Sequence, residues 1–257
     1  MVKIIKYLVN KVLLFFEYIG QYLVLMSRMF TSVDSLEKNS KNIIDQMIFI
    51  GSKSLPIVII TSFFSGMVTS VQGAYQMTSG LFPKYHIGGI VTESVVIELA
   101  PVITALVLAG RVGANIAAEI GTMRVTEQID ALETLSYDPV SYLILPRVVA
   151  GVIMFPILII IADFFGIVGG LIACITTLEL NTYQFLKGAK EWFKPWDAQF
   201  GLIKATCFGF SITSIACYFG FYTKGGAQGV GKATTSTVVA SCISILILDY
   251  FLAEMFL

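Results

Sequence analysis

Charged residues are scarce in this chain and evenly balanced. Only 13% of its 257 residues are Asp, Glu, Lys or Arg, and 17 basic side chains offset 17 acidic ones. Nucleic-acid-binding proteins concentrate basic side chains on one face, so this balance argues against a nucleic-acid partner. A soluble domain has an apolar share of roughly 45–50% with glycine included, whereas 56% of this chain is hydrophobic without glycine and its mean hydropathy is +0.82. The composition therefore predicts a membrane protein.

Residues that could form a catalytic or metal site are also few. His86 is the single histidine, and the sequence has no Walker A motif, dinucleotide fingerprint or nucleophile elbow. The cysteines lie in apolar stretches without CxxC spacing, which disfavours disulfides and metal ligation; they are Cys174, Cys207, Cys217 and Cys242. We therefore expect no catalytic residue, metal site or cofactor in this chain.

The first residues lack the features of a targeting sequence. Lys6, Lys11 and Glu17 interrupt the early apolar runs, and no small-residue cleavage site follows them. The Ser- and Arg-rich composition of an organelle import leader is absent too. We expect these residues to belong to the mature structure and the protein to be bacterial.

Five apolar stretches reach the length of about 20 residues that a helix needs to cross a bilayer. Their predicted ranges are 55–77, 88–110, 148–178, 205–223 and 233–256. Residues 1–30 instead place apolar side chains at three- and four-residue steps with polar ones opposite, which predicts an interfacial amphipathic helix. A poor first transmembrane span is the alternative. The predicted fold is all-α and polytopic, with an interfacial helix, a transmembrane core over 55–257, and a single domain over 1–257.

The distribution of lysine and arginine predicts the orientation of these spans. With the N-terminus inside, twelve of the seventeen basic residues fall on the cytoplasmic side, as the positive-inside rule expects. The other five are expected on the far side, four of them in an exposed loop over 179–204; they are Lys84, Lys187, Lys190, Lys194 and Lys204. The segment between the second and third spans is therefore predicted to be cytoplasmic.

That segment, 110–139, is the densest charged stretch of the chain. It reads GRVGANIAAEIGTMRVTEQIDALETLSYDP. At 100° per residue, Glu127 and Asp130 fall opposite an apolar side formed by Val125, Ile129, Leu132 and Leu135. The pattern predicts a short amphipathic surface helix over 125–135 that offers its acids outward. A solvated helix without a partner is the alternative.

Three acids fall within the predicted spans, namely Glu98, Asp163 and Asp249. A carboxylate at the bilayer centre costs about 2.5–3.5 kcal/mol on insertion scales, so each should face the protein interior, a water-filled cavity or a polar partner. For Asp163 and Asp249 a structural role between helices stays open beside a functional one. Glu98 is the favoured functional residue because it lies one turn before Pro101, which interrupts the helix ladder.

The charged stretch and its surroundings resemble the signature of MlaE-type permeases. The similarity is carried by residues 110–132, by Glu98-Leu99-Ala100-Pro101 before them and by Asp138-Pro139 after them, and it extends from about Gln46 to the C-terminus. Asn115 stands where a small residue is expected. Members of this family are the membrane subunits of bacterial ABC transporters that move phospholipid between the inner and outer membranes. Related chloroplast permeases belong to it as well.

The resemblance implies partners and site residues. It implies a homodimer in the bacterial inner membrane, a cytoplasmic ATPase subunit that carries ATP and Mg, and a periplasmic lipid-binding protein of the MCE type (MlaD-like). The segment 111–139 would hold a coupling helix that docks into the ATPase; its candidate residues are Glu119, Arg124, Glu127, Asp130 and Glu133. A lipid cavity near the dimer axis would be lined by Glu98, Leu99, Gln72, Tyr75 and Met77.

The predicted function is therefore that of a permease subunit, not an enzyme, which moves phospholipids and so maintains outer-membrane lipid asymmetry. A secondary carrier of a lipid or other hydrophobic substrate, driven by protons through the intramembrane acids, is the alternative. Such carriers often repeat their spans internally, and no repeat is evident here. A structural membrane scaffold is a third reading, but it would leave the acidic cytoplasmic helix without a purpose.

Overall fold

The computed structural model describes residues 2–32, 39–76, 83, 85–177 and 180–257, with the side chains of 2–12 and 14–15 left aside. These residues are largely helical and include no strand. The α-helices are α1 (Val2–Thr31), α2 (Ser40–Ile50), α3 (Leu55–Gln76), α4 (His86–Ser94), α5 (Ala100–Leu108), α6 (Ala114–Val125), α7 (Gln128–Thr134), α8 (Leu145–Thr177), α9 (Thr182–Trp192), α10 (Pro195–Phe221) and α11 (Gly226–Phe256).

Five helical stretches of the described chain are long and apolar enough to cross a membrane, which confirms the predicted all-α polytopic fold. They cover 40–76, 86–125, 140–177, 195–221 and 226–256. Each overlaps one predicted span and begins before it, because a helix continues past the apolar region into the interface. The predicted spans 55–77, 148–178 and 205–223 end one or two residues later than the observed stretches. The fourth begins at Pro195 rather than at residue 205, since proline is favoured in the first helical turn, where its missing N–H costs no hydrogen bond.

The second and third stretches each contain π-helical segments between or before their α-helices. These segments are Val95–Leu99, Ala109–Gly113 and Val140–Ile144. Pro101 and Pro146 each follow such a segment by two residues. Proline has no N–H and its ring clashes with the carbonyl four residues earlier, and a π-turn relieves that clash by inserting one residue. The first π-segment carries Glu98, so the proline also sets the direction of this side chain.

Small residues bring α3 and α8 into direct backbone contact. A Cβ on Gly66 would lie 1.8 Å from the Gly166 carbonyl oxygen. One turn to either side of this contact, Ser62 Oγ donates a hydrogen bond to the Ala162 carbonyl and Ser70 Oγ to the Gly170 carbonyl, both at 2.9 Å. Close approach of this kind is the usual basis of helix association in membranes, and here it fixes α3 as one wall of the candidate site.

The N-terminal helix α1 packs along α10. Leu25, Met26 and Met29 are buried, and the Tyr22 hydroxyl lies 2.8 Å from Ser214 Oγ. Helix α1 is not among the five stretches apolar enough to span a membrane. Its interfacial position remains a prediction.

Candidate functional site

A cleft of about 470 Å³ opens between the C-terminal end of α3 and the second span. Residues one turn apart on α3 supply one wall, and the end of α4 with its π-segment supplies the other. The wall on α3 comprises Thr69, Gln72, Gly73 and Gln76, and the opposite wall comprises Ile90, Glu93, Ser94, Ile97, Glu98 and Leu99.

The cleft contains three of the five residues predicted to line a lipid cavity, namely Gln72, Glu98 and Leu99. Tyr75 does not line it and is 82% exposed, because it lies 100° around α3 from Gln76 whereas Gln72 and Gln76 share a face. Met77 lies outside the described residues. Three of the predicted residues thus share one cleft and Tyr75 lies outside it, while a lipid in this cleft stays a prediction.

Behind the cleft, Lys204 of α10 joins two of the intramembrane acids. Its Nζ donates a hydrogen bond of 2.6 Å to Glu98 Oε2 and lies 2.6 Å from Asp249 Oδ1. The Lys204 side chain is fully buried, Asp249 retains 15% exposure and Glu98 49%. The ammonium also lies 4.8 Å from the centre of the Phe200 ring. Glu98 is thus the one member of this triad that reaches substantially into the open.

The burial of Lys204 corrects the prediction that it lies in an exposed far-side loop. The prediction was wrong because it started the fourth span at residue 205 and so left Lys204 outside the span. A helix continued back to Pro195 would have shown the signal, since Phe200, Lys204 and Phe208 recur every four residues on one face and all three are buried. An acid within a span also needs a nearby cation, and Lys204 is the cation that contacts Glu98 and Asp249.

Asp249 and Asp163, both predicted to be intramembrane polar residues, have different surroundings. Asp249 pairs with Lys204, whereas Asp163 Oδ1 is buried in α8 without a hydrogen-bond partner in the described part of the chain. The structure therefore brings Asp249 to the candidate site through Lys204. Asp163 is not among the described residues that line the cleft.

The predicted coupling helix over 125–135 is divided in two. Helix α6 ends at Val125, and α7 starts at Gln128 after Glu127, whose φ is +60°. A second left-handed residue, Ser136, follows α7 at φ +60°. The Ile129 side chain of this short helix is buried, while Leu135, expected on the apolar side, is 68% exposed. The apolar contact is thus narrower than the helical wheel predicted.

The charged residues predicted for coupling have unequal surroundings. Glu127 and Glu133 are exposed. Asp130 Oδ1 accepts a hydrogen bond of 2.7 Å from Arg124, and the Arg124 guanidinium lies 5.7 Å from the centre of the Phe221 ring at the end of α10. Glu119 Oε1 lies 3.0 Å from Arg147 Nη2, and that arginine side chain is only 5% exposed. Arg124 and Glu119 therefore tie the segment to the transmembrane helices.

Comparison with known families decides the identity of this arrangement. The model of the MlaE permease family matches residues 43–255, a range that contains the cleft, the triad and the charged segment. The chain belongs to the MlaE permease family.

Relatives of this MlaE-family permease are similar over most of its length. A probable ABC transporter permease protein of Rickettsia prowazekii is 50% identical over 214 residues, which are 83% of this chain and 82% of the relative. A probable ABC transporter permease protein of Synechocystis is 44% identical over 219 residues, 84% and 81% of the two chains. The chloroplastic protein TRIGALACTOSYLDIACYLGLYCEROL 1 of Arabidopsis thaliana is 38% identical over 216 residues, 84% of this chain and 61% of that protein.

In this MlaE-family permease the second stretch runs from the cleft to the charged segment. The second stretch, 86–125, carries Glu98 in its first third and ends beside α7. Helix α10 carries Lys204 and ends at Phe221, under the Arg124 guanidinium. The two helices that carry Glu98 and Lys204 therefore both reach the charged segment.

Proposed function

We propose that this permease is the membrane subunit of an ATP-driven transporter that moves phospholipids between the inner and outer membranes of a bacterium. Its relatives in Rickettsia and Synechocystis carry the name of ABC transporter permeases, and the Arabidopsis relative carries the name of a diacylglycerol lipid. The ATP and Mg would be bound by a separate cytoplasmic ATPase, and a periplasmic MCE-type protein would exchange lipid with the permease.

The observation that carries the lipid assignment is the composition of the cleft. A phospholipid has two apolar chains and a polar head, so its site needs apolar walls and a few polar groups. Ile90, Ile97 and Leu99 supply apolar surface, while Gln72, Gln76 and the two glutamates supply polar groups. The cleft lies between membrane-spanning helices, where a lipid enters directly from the bilayer.

The half-exposed position of Glu98 supports the proposal of a homodimer. A carboxylate facing hydrocarbon in mid-bilayer is costly, yet 49% of this side chain is open in the single chain. A second copy placed over the cleft would cover Glu98 and turn two open clefts into one enclosed cavity. Such an isologous contact gives a closed dimer.

The ATPase is expected to bind the surface of α7. This helix offers Glu127 and Glu133 in exposed positions and carries the exposed Leu135 at its end. Rim charges of this kind guide association, and an apolar side chain at the centre adds affinity. The N-terminus and α7 would then both lie on the cytoplasmic side of the inner membrane.

Photo-crosslinking tests the lipid assignment. A photoreactive residue at Leu99 should capture phospholipid in membranes, and ATP supplied with the ATPase should change the yield. The same residue at Ile160, which is 54% exposed on α8, serves as the control because it should capture bulk lipid whether or not ATP is present. Capture of protein alone at Leu99, or a yield indifferent to ATP, would contradict the proposal.

The proton-driven carrier is distinguished by its energy source. The triad of Glu98, Lys204 and Asp249 contains titratable groups that a proton-coupled carrier would use. In reconstituted vesicles, lipid movement that depends on the co-purified ATPase and ATP supports the ABC transporter. Movement driven by a pH gradient without ATP would support the carrier instead.

A further inference from the structure

We infer that the cleft selects zwitterionic phospholipids whose headgroup ends in a primary ammonium, and that Glu93 is the residue that recognises this ammonium. The inference rests on the proposed lipid function and adds the headgroup class. Glu93 lines the same cleft as Glu98 and lies five residues earlier, in α4 before the π-segment. It lies towards the outer end, where Gln76 ends α3.

The charges around the cleft favour a cationic group. Glu98 and Asp249 share the one ammonium of Lys204, so these three side chains carry a formal charge of −1. Glu93 adds another negative charge, and it forms no ion pair with any side chain that the structure describes. Among the described residues, no lysine or arginine lines the cleft. An anionic headgroup would meet net negative charge without a counter-charge.

The neutral polar groups suit the phosphate of a zwitterionic lipid. Gln72 and Gln76 lie one turn apart on α3 and both line the cleft opposite Glu93. Their amide N–H groups can donate hydrogen bonds to phosphate oxygens, while their carbonyl oxygens can accept from N–H donors. The phosphate would therefore be held by dipoles and the ammonium by a carboxylate.

A primary ammonium fits these acceptors better than a quaternary one. It offers three N–H donors, which the Glu93 carboxylate and the glutamine carbonyls can accept, and hydrogen bonds to a charged group are about twice as strong as neutral ones. A choline headgroup has the same charge but no N–H donor. The expected order of binding is ethanolamine, then choline, then glycerol headgroups.

Lipid retention measures this order directly. The permease with its ATPase is reconstituted in nanodiscs containing equal amounts of phosphatidylethanolamine, phosphatidylcholine and phosphatidylglycerol, then released, and the retained lipids are quantified by native mass spectrometry. We expect phosphatidylethanolamine to exceed phosphatidylglycerol about tenfold, as a charge-assisted hydrogen bond predicts. Glu93→Gln should lower that ratio to about one while the total lipid per protein is unchanged.

Matched variants separate recognition from folding. Glu191→Gln removes an exposed carboxylate on α9, outside the cleft, and should keep the wild-type ratio. Glu93→Asp keeps the charge and should retain most of the preference, even if Glu93→Gln proves unstable. Wild-type protein that retains lipids in the proportions supplied would overturn the headgroup inference and leave the lipid function standing. Wild-type protein that retains no lipid would instead overturn the proposed function itself.

Discussion

Lys204, buried in α10, donates a hydrogen bond of 2.6 Å to Glu98, whose side chain lies half-exposed in the π-segment of the second span. The contact joins a helix of the protein interior to the open surface of the cleft. Its other partner, Asp249 on α11, lies 2.6 Å from the same ammonium, and the Lys204 side chain is fully buried. The pair therefore places one carboxylate in the cleft at a fixed height, with its counter-charge hidden behind it.

Replacing Lys204 with methionine should destabilise the permease. The substitution keeps an unbranched side chain, one atom shorter, but leaves Glu98 and Asp249 close together without a cation. The expected loss is about 3 kcal/mol, the lower end of the range for breaking a buried pair, because Glu98 remains half-solvated. Thermal unfolding in detergent, with abundance in membranes, measures the effect.

The double variant Lys204→Met with Asp249→Leu is the control for this loss. It removes one charge of each sign, so the remaining Glu98 can stay solvated in the cleft, and stability should recover by more than half. Equal stability of Lys204→Met and the wild type would show that the ion pair contributes nothing.

How much of this site follows from sequence depends on how local each feature is. The five spans were predictable because apolar length is a property of each segment alone. Glu98 was singled out as a polar residue in an apolar span beside a proline, and the cavity around it was expected from the family resemblance. The partnership of Lys204 with Glu98 was not found, because the two residues are 106 positions apart and only packing of α10 against the second span brings them together.

The coupling segment also contains a feature that local sequence does not reveal. A helical wheel assumes one uninterrupted helix, but Glu127 adopts a left-handed conformation that ends α6 and begins α7 anew. Few non-glycine residues adopt this conformation, and local sequence gives little warning of it. The exposed acids were nevertheless identified correctly, since a charged side chain needs solvent or a partner wherever the helix turns.

Charge reversal on α7 should release the ATPase. Glu127→Lys combined with Glu133→Lys changes two exposed acids and leaves the Arg124–Asp130 hydrogen bond intact. Co-purification of the ATPase should fall at least tenfold, because like charges across an interface cost several kcal/mol. Glu191→Lys on α9 is the matched control and should retain the ATPase. Undiminished co-purification by the double variant would show that α7 is not the dock.

Gly66→Ala should disrupt the contact between α3 and α8. The added Cβ would meet the Gly166 carbonyl oxygen at 1.8 Å, a backbone atom that cannot move aside as a flexible side chain would. We expect a loss of at least about 2 kcal/mol, as for other overpacked cores, and less protein in the membrane. Gly20→Ala, where nothing lies within 4 Å, should be neutral or slightly stabilising because alanine favours helix.

Asp163→Asn should leave transport intact and raise stability. The Asp163 Oδ1 atom is buried without a hydrogen-bond partner among the described residues, and an unpaired buried carboxylate is more costly than a neutral amide of the same shape. Thermal unfolding and lipid transport are measured on the same preparation. Lost transport with unchanged folding would instead assign Asp163 to the transport pathway.

The last prediction concerns the side of the membrane on which α1 lies. Its 30 residues would extend about 45 Å as a helix, so length alone would allow it to cross. Exposed Glu17 and Arg28 argue against crossing, because each would be costly in hydrocarbon.

Cysteines introduced at Lys3 and Arg28 should therefore both react with an impermeant maleimide from the cytoplasmic side. A cysteine at Lys187 on α9 should react from the opposite side, and the unmodified chain corrects for its native cysteines. Labelling of positions 3 and 28 from opposite sides would make α1 a sixth span and would place the two ends of the chain on the same side.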